Sequence, residues 1–575
     1  MAEEKKLTGY PSIDKPWLKY YSEEALDAPI PEMSIYEWIK THNSDNLQSI
    51  AIRYFGDEMT YGTLFQQIEE AAAAFTALGV KANDIVTLAL PNIPENVVCI
   101  YALNRIGAIA NLVDLRCQGE DLIRYYNEVN TAYAVVSDMF LSNTLAVAER
   151  TTLKKLIVAS PFDHLPFPVR AFMKHKYRVR GEAGISMLSW GDFITSGAGQ
   201  SVPEAAVKAG DTACIMHTSG TTGESKGVML SNHCFNAMTV EFKYGYGFYE
   251  SGDVFMNQVP PFLAYSAIIA IHIPLSLQLC MRMLPDYRPD QFARNMVKHR
   301  ANHVAAGPAD WGNFLSDSKA VRNKDLSFMK TLGSGSDTMR IEDKRAVNKL
   351  FEEHGCRSRI TEGYGMTEVG SAACMNLPHC DVEGSVGVPL PKMSFCVWDN
   401  EADTEAPYNT KGEICMSGPT LMNGYYHRPE ETAAVLRRHE DGNLWMHSGD
   451  LGYIDENGCI FLDGRLKRII IQFNGMKVNP FEIEKTLLTD EGVAECCVVG
   501  TPDLQHSSGS LPVAFVVPAG ESESHEALEA RLRALCDAEL LERYRPVRYC
   551  FTGSLPLTPN GKVDYRALEE SAKEA

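Results

Sequence analysis

Through the first two-thirds of the chain, apolar positions switch between helical and strand-like spacing. In "TYGTLFQQIEEAAAAFTALG", Leu64, Ile68, Ala71, Phe75 and Leu78 recur at spacings of four and three, and the run stops at Gly79. That pattern predicts an amphipathic helix with a glycine just past its end. "IVTLAL" (Ile85 to Leu90) follows as a buried strand, and Pro94 is placed to open the next helix, through Cys99 and Leu103. Apolar runs at Ala134 to Val136, Leu156 to Ala159 and Ala213 to Met216 continue the alternation. Helices packed on largely parallel sheets are the expected result. After about Lys467 the texture changes to shorter strands ("ECCVVG", "VAFVV"), one charged helix near Glu526 to Tyr544 and a polar tail. This part reads as a separate small α+β domain.

The longest apolar run, Tyr265 to Leu284, is interrupted by His272, Pro274, Gln278 and Arg282, so it is expected to be core and not a membrane span. At 575 residues, two or more domains are expected. A net charge of −20 argues against a general binder of nucleic acid or anionic membranes. The segment Arg170 to Arg180 ("RAFMKHKYRVR") is a basic exception and reads as a solvated helix or loop. "MAEEKK" carries no secretory signal, and fifteen cysteines at irregular spacings suit free thiols in a reducing cytoplasm.

The candidate chemistry begins at "TSGTTGESKG", residues 218–227. It fails the P-loop pattern, because Ser225 precedes Lys226 and Gly227 follows it. The means to hold phosphate are nevertheless present. Gly220 and Gly223 free the backbone to turn N–H groups inward, Thr218, Ser219, Thr221 and Thr222 add hydroxyl donors, and Lys226 adds a positive charge. "GSGSD" (Gly333 to Asp337) is a second tight glycine turn. "EGYGMTE" joins Tyr364, which can stack on a purine, to Thr367, a phosphate donor, and Glu368, a ligand for a hard cation such as Mg²⁺. Asp450 in "HSGDLG" can grip ribose hydroxyls, "DGRLKR" supplies Arg465, and "PLTPNGKVDYRAL" presents Lys562 on a Pro/Gly-rich turn.

The order of these pieces resembles the adenylate-forming superfamily of acyl- and aryl-CoA synthetases, peptide-synthetase adenylation domains and luciferases. The resemblance runs from about Tyr36 to Leu568. It implies a large N-terminal domain of layered α/β subdomains and a barrel (residues 1–466), with a small mobile α+β cap (467–575) pivoting at Lys467. It also implies that Thr218 to Lys226, including Ser219, Gly220, Thr221, Thr222 and Gly223, lie on the ATP phosphates. Gly335, Ser336 and Asp337 would lie beside the adenine, with Tyr364 stacked on it. Thr367 would touch the α-phosphate, Glu368 would bind Mg²⁺, Asp450 and Arg465 would hold the ribose, and Lys562 would stabilise the adenylation transition state. Leu263 stands where many relatives have a histidine, and the segment Gly464 to Gly475 is one residue longer than in most.

The implied reaction is ATP-dependent ligation of a fatty or other hydrophobic carboxylic acid to CoA through an acyl-adenylate. Loading of a carrier protein in trans is the close alternative. A non-catalytic nucleotide-binding regulator is the alternative of another class, though Lys226, Glu368 and Lys562 together suit catalysis. Amino acids are disfavoured as substrates, because Val254 to Pro285 contains no acidic residue to pair with an ammonium.

Overall fold

The computed structural model describes residues 7–176, 184–218, 225–286, 288–506, 508–520, 524–558 and 562–574. The predicted first helix spans Tyr61–Ala77, and Gly79 follows in the left-handed region at φ +89°. Its alanines allow close approach to the helices Pro94–Arg105 and Trp190–Ser196. The strands Ile85–Ala89, Tyr133–Ser137, Lys155–Ala159 and Thr212–Thr218 stand where the apolar runs placed them.

Those strands belong to an eight-stranded sheet. Its order is Gly424–Tyr425, Lys226–Ser231, Thr212–Thr218, Ile109–Leu112, Ile85–Ala89, Tyr133–Ser137, Lys155–Ala159, Ser186–Ser189. Pairing is parallel from Thr212–Thr218 to the Ser186–Ser189 edge. A nine-stranded sheet is parallel from Ile360–Tyr364 through Thr331–Ser334, His303–Ala306, Val254–Asn257 and Cys280–Met283 to Ile50–Tyr54, with antiparallel strands at both edges. One continuous apolar core joins the two sheets; the long apolar run supplies Ile268, Ile271, Ile273 and Leu275 to it. That run is a π-helical segment, Tyr265–His272, continued by Ile273–Ser276 and the strand Cys280–Met283.

The part expected as a barrel is six antiparallel strands. The order is Thr404–Ala406, Ser394–Asp399, Gly412–Ser417, Leu444–Ile454, Leu436–Arg438, with Ile460–Arg465 also paired to Leu444–Ile454. The smaller C-terminal domain has strands Val493–Pro502, Ser510–Pro518 and Arg548–Phe551. Alternation along these strands sends Val498 and Val516 against the helices Pro480–Leu487 and His525–Glu539. Val499, Val513 and Phe515 go to the opposite face, against Tyr565–Glu574. Among the described residues no helix is long and apolar enough to cross a membrane. The helix Phe167–Lys176 holds the first part of the basic segment, with Phe167 and Phe172 exposed; residues 177–180 lie outside the described residues.

Candidate active site

Parallel strands of both large sheets end at a common crevice, the place where open α/β sheets bind ligands. A cavity of about 940 Å³ opens there, and Thr218, Lys226, Gly335, Ser336, Thr367, Glu368, Arg465 and Lys562 all line it. Lys467 lines it as well. Segments nearly 350 residues apart in sequence are thus drawn onto one volume. Asp337, Tyr364 and Asp450 stand behind or beside this wall. Ser219, Gly220, Thr221, Thr222 and Gly223 lie outside the described residues.

Thr218 pairs directly with Lys226 across antiparallel strands. The Lys226 ammonium lies 4.7 Å from the Tyr425 ring centroid and 3.8 Å from Glu431 Oε2. The Tyr425 hydroxyl donates to Glu368 Oε1 at 2.9 Å. Burial raises the Glu368 carboxyl above its usual range, opposed by the Tyr425 hydrogen bond and the nearby Lys226 and Arg465 charges. Tyr425 has no signal in the motif order. It reaches the site because Tyr425 pairs with Val228, beside Lys226, on the edge of the eight-stranded sheet.

The glycine turns follow the strands Thr331–Ser334 and Ile360–Tyr364. A Cβ on Gly333 would come within 3.2 Å of the Val304 carbonyl, and one on Gly365 would collide with the Ser371 carbonyl. Neighbouring backbone segments therefore pack against these glycines more closely than a side chain permits. Ser336 adopts φ +76°, a left-handed conformation that is strained for a non-glycine residue and concentrated at functional sites. Asp337 is exposed and accepts the Thr338 N–H at 2.8 Å.

Asp450 sits at a bulge, where the pairing of Leu444–Ile454 with Gly412–Ser417 shifts register between Glu413 and Cys415. Gly449 takes φ +72° there, and its N–H donates to Glu413 at 2.9 Å. Bulges re-aim side chains at sites of this kind. Asp450 accepts from the Tyr364 hydroxyl at 2.7 Å and pairs with Arg465 Nε at 2.9 Å. Burial raises the Asp450 carboxyl, while Arg465 and Tyr364 draw it back. Tyr364 and Asp450 are thereby locked together.

Lys562 is exposed to the cavity, on a turn in which the Thr558 N–H donates to the Lys562 carbonyl at 2.7 Å. The surrounding protein, followed by Arg465, holds its ammonium below the usual lysine range; Asp337, Asp450 and Glu368 act in the opposite direction. Phe242, Tyr249, Phe255, Leu263, Tyr265 and Ile269 give the cavity an apolar and aromatic share of its lining, beside polar residues such as Asn400, Arg428 and Arg437. Its lining carboxylates are Glu368, Glu413 and Glu431. Tyr425 donates to Glu368, the Gly449 N–H to Glu413, and Lys226 pairs with Glu431.

Residues 39–426 match the family model of AMP-binding enzymes, and residues 482–562 match that of the AMP-binding enzyme C-terminal domain. The chain belongs to the AMP-binding enzyme family, the adenylate-forming superfamily whose motif order it carries. It is an AMP-forming acid–thiol ligase by class. The chain is 27% identical to a long-chain-fatty-acid–CoA ligase of Bacillus subtilis over 97% of its own length and 98% of that protein. It is 26% identical to 4-coumarate–CoA ligase 2 of Solanum tuberosum, over 88% of this chain and 87% of that one. Among solved structures, ATP-bound MatB from Rhodopseudomonas palustris matches with a TM-score of 0.77 at 25% identity, covering 94% of this chain and 99% of MatB.

Proposed function

We propose that this chain activates a fatty or other hydrophobic carboxylic acid with ATP and passes the acyl group to CoA. The observation that carries the reading is a single cavity with two ends. Lys226, Glu368, Arg465 and Lys562 meet at one end, and the other is aromatic and aliphatic. In the first half-reaction a carboxylate oxygen attacks the α-phosphorus of ATP, the bond to the β-phosphate oxygen breaks, and pyrophosphate leaves. Negative charge grows on both sides of the phosphorus, so fixed cations and N–H donors supply most of the help. Lys226, at the mouth of the phosphate hairpin, suits the departing pyrophosphate. Thr367, at the start of the turn Thr367–Val369, suits the α-phosphate, and Lys562 suits the attacking carboxylate. In the second half-reaction a thiol attacks the acyl carbon and AMP leaves.

Glu368 offers a hard oxygen donor on the cavity wall, with its other functions fixed by Tyr425, and it fits Mg²⁺. The ion would neutralise phosphate charge. Glu368→Gln keeps the shape and an acceptor for Tyr425 but loses the charge, so the Mg²⁺ concentration needed for half-maximal turnover is expected to rise about 10–100-fold. Magnesium titration of both proteins measures this, and an unchanged requirement removes Glu368 from the metal site.

The pivot of the cap is assigned to Lys467, which lines the cavity, while the next residue, Arg468, is bound into the C-terminal core. Residues 1–466 and 467–575 are then the two domains. A reducing, cytoplasmic setting suits fifteen cysteines that form no disulfide among the described residues.

Incubation with ATP, CoA and a panel of acids tests the reading. AMP, pyrophosphate and an acyl-CoA are expected, and stoichiometric ADP would sink it. Acyl transfer to a carrier protein and not to CoA would shift the acceptor. Hydrophobic acids are expected to drive pyrophosphate exchange better than amino acids of similar size, since among the described residues the lining carboxylates are Glu368, Glu413 and Glu431, each engaged by Tyr425, Gly449 or Lys226. Exchange driven best by an amino acid would overturn that preference.

A further inference from the structure

Beneath the bulge that carries Asp450, three strands place metal-ligand side chains on one face of the antiparallel sheet. Cys396 is directly opposite Cys415, and Cys415 is directly opposite His447. Glu413 lies two residues before Cys415, so it points to the same side. The donor atoms of Glu413, Cys415 and His447 all fall within 4.8 Å of one another. Cys415 Sγ is 3.4 Å from His447 Nδ1, and His447 Nδ1 is 2.9 Å from Glu413 Oε2. We propose that Glu413, Cys415 and His447 bind a zinc ion.

A tetrahedral zinc with Zn–S of about 2.3 Å and Zn–N of about 2.0–2.1 Å holds sulfur and nitrogen roughly 3.5 Å apart. The observed spacing of Cys415 and His447 is already close to that, and the carboxylate needs only a small outward shift. Outer partners of the usual kind are present as well. His447 Nε2 lies 3.0 Å from His439 Nε2, so donation to His439 frees Nδ1 to coordinate. Asn400 donates to Glu413 Oε2 at 3.1 Å, and the Gly449 N–H holds Oε1. Trp398 and Trp445 pack with the two cysteines and shield the sulfurs. Glu413 and His447 also line the large cavity, which gives the ion a route in. Binding releases the Cys415 thiol proton to solvent, and the proton of the neutral His447 ring sits on Nε2, where it donates to His439. The ion would stiffen the bulge from which Asp450 and the strand of Arg465 project. No sequence spacing announces this set, because its members come together by cross-strand pairing.

The test uses the full chain, stripped with a chelator and reloaded with Zn²⁺ or Co²⁺. One tightly held zinc per chain is expected, with a higher melting temperature, and Co²⁺ should show sulfur-to-cobalt charge-transfer absorption. Cys415→Ala should weaken that absorption's titration by at least about 100-fold, as ligand loss costs no less than loss of an outer partner. If Cys415→Ala does not fold, His447→Gln serves with the same readout, since its side chain borders the cavity. Absence of the charge-transfer band in the wild type overturns the proposal. So does a band that survives in Cys415→Ala or disappears instead in Cys459→Ala, whose sulfur lies 3.7 Å from that of Cys380 elsewhere in the fold.

Discussion

Lys562→Ala is expected to slow acyl-adenylate formation about 10²–10³-fold and to leave thiol attack on a supplied acyl-adenylate near the wild-type rate. The first figure is the usual scale for removing one preorganised charge donor from a transition state. Among the described residues, Lys562 is the one beyond Lys467 that lines the cavity, so the C-terminal domain contributes that side chain to the site. The surrounding protein and Arg465 disfavour its charged form, and Asp337, Asp450 and Glu368 favour it; a substrate anion beside it would favour the ammonium further. The thiol step needs no such cation at the carboxylate, and in the proposed two-conformation reading a pivoting cap would carry the lysine away. Because Lys562 is exposed, its removal should change the melting temperature little. Single-turnover kinetics of each half-reaction, with a melting curve as control, make the comparison. Equal slowing of both steps in a folded variant would refute the two-conformation reading and leave Lys562 as an ordinary binding residue.

Local periodicity made part of this fold legible. The helix Tyr61–Ala77 and four strands of the eight-stranded sheet, Ile85–Ala89, Tyr133–Ser137, Lys155–Ala159 and Thr212–Thr218, declare themselves through local apolar spacing. The π-helical segment Tyr265–His272 does not, because it is apolar on nearly every side and buried almost throughout. Its geometry answers to neighbours, among them Gly333 and Gly335, which face the Tyr265 ring. The site divides in the same way. Glycine turns and the lysines carry their chemistry in short motifs. Tyr425, Glu431 and the Glu413–His447 pair take their roles from strand pairing, which no short stretch encodes. Asp450 and Arg465 are an intermediate case. Both stand in short motifs that the family resemblance assigns to the ribose, but their mutual ion pair follows from direct cross-strand pairing of the two residues.

The residue after the pivot should show how much the cap depends on one buried charge. Arg468 is bound to Glu484 through both guanidinium nitrogens, donates to the Val498 carbonyl at 3.1 Å and lies 4.2 Å from the Tyr565 ring. Glu484 is buried and also accepts the Val498 N–H at 2.7 Å. Arg468→Met removes one partner and strands a carboxylate in the core, a loss of about 3–5 kcal/mol when a buried pair is broken. Early melting of the C-terminal domain and loss of adenylation are expected, since a loosened cap no longer presents Lys562. Arg468→Lys should recover only part, because an ammonium cannot reproduce the two-pronged grip or the stacking on Tyr565. Arg468→Met combined with Glu484→Leu removes both charges together and is expected to regain most of the stability, as apolar replacements of buried pairs do. Denaturant titration of the wild type, both single variants and the double variant gives the coupling directly. An additive double variant, or an Arg468→Met protein as stable as the wild type, would show that this pair does not hold the base of the cap.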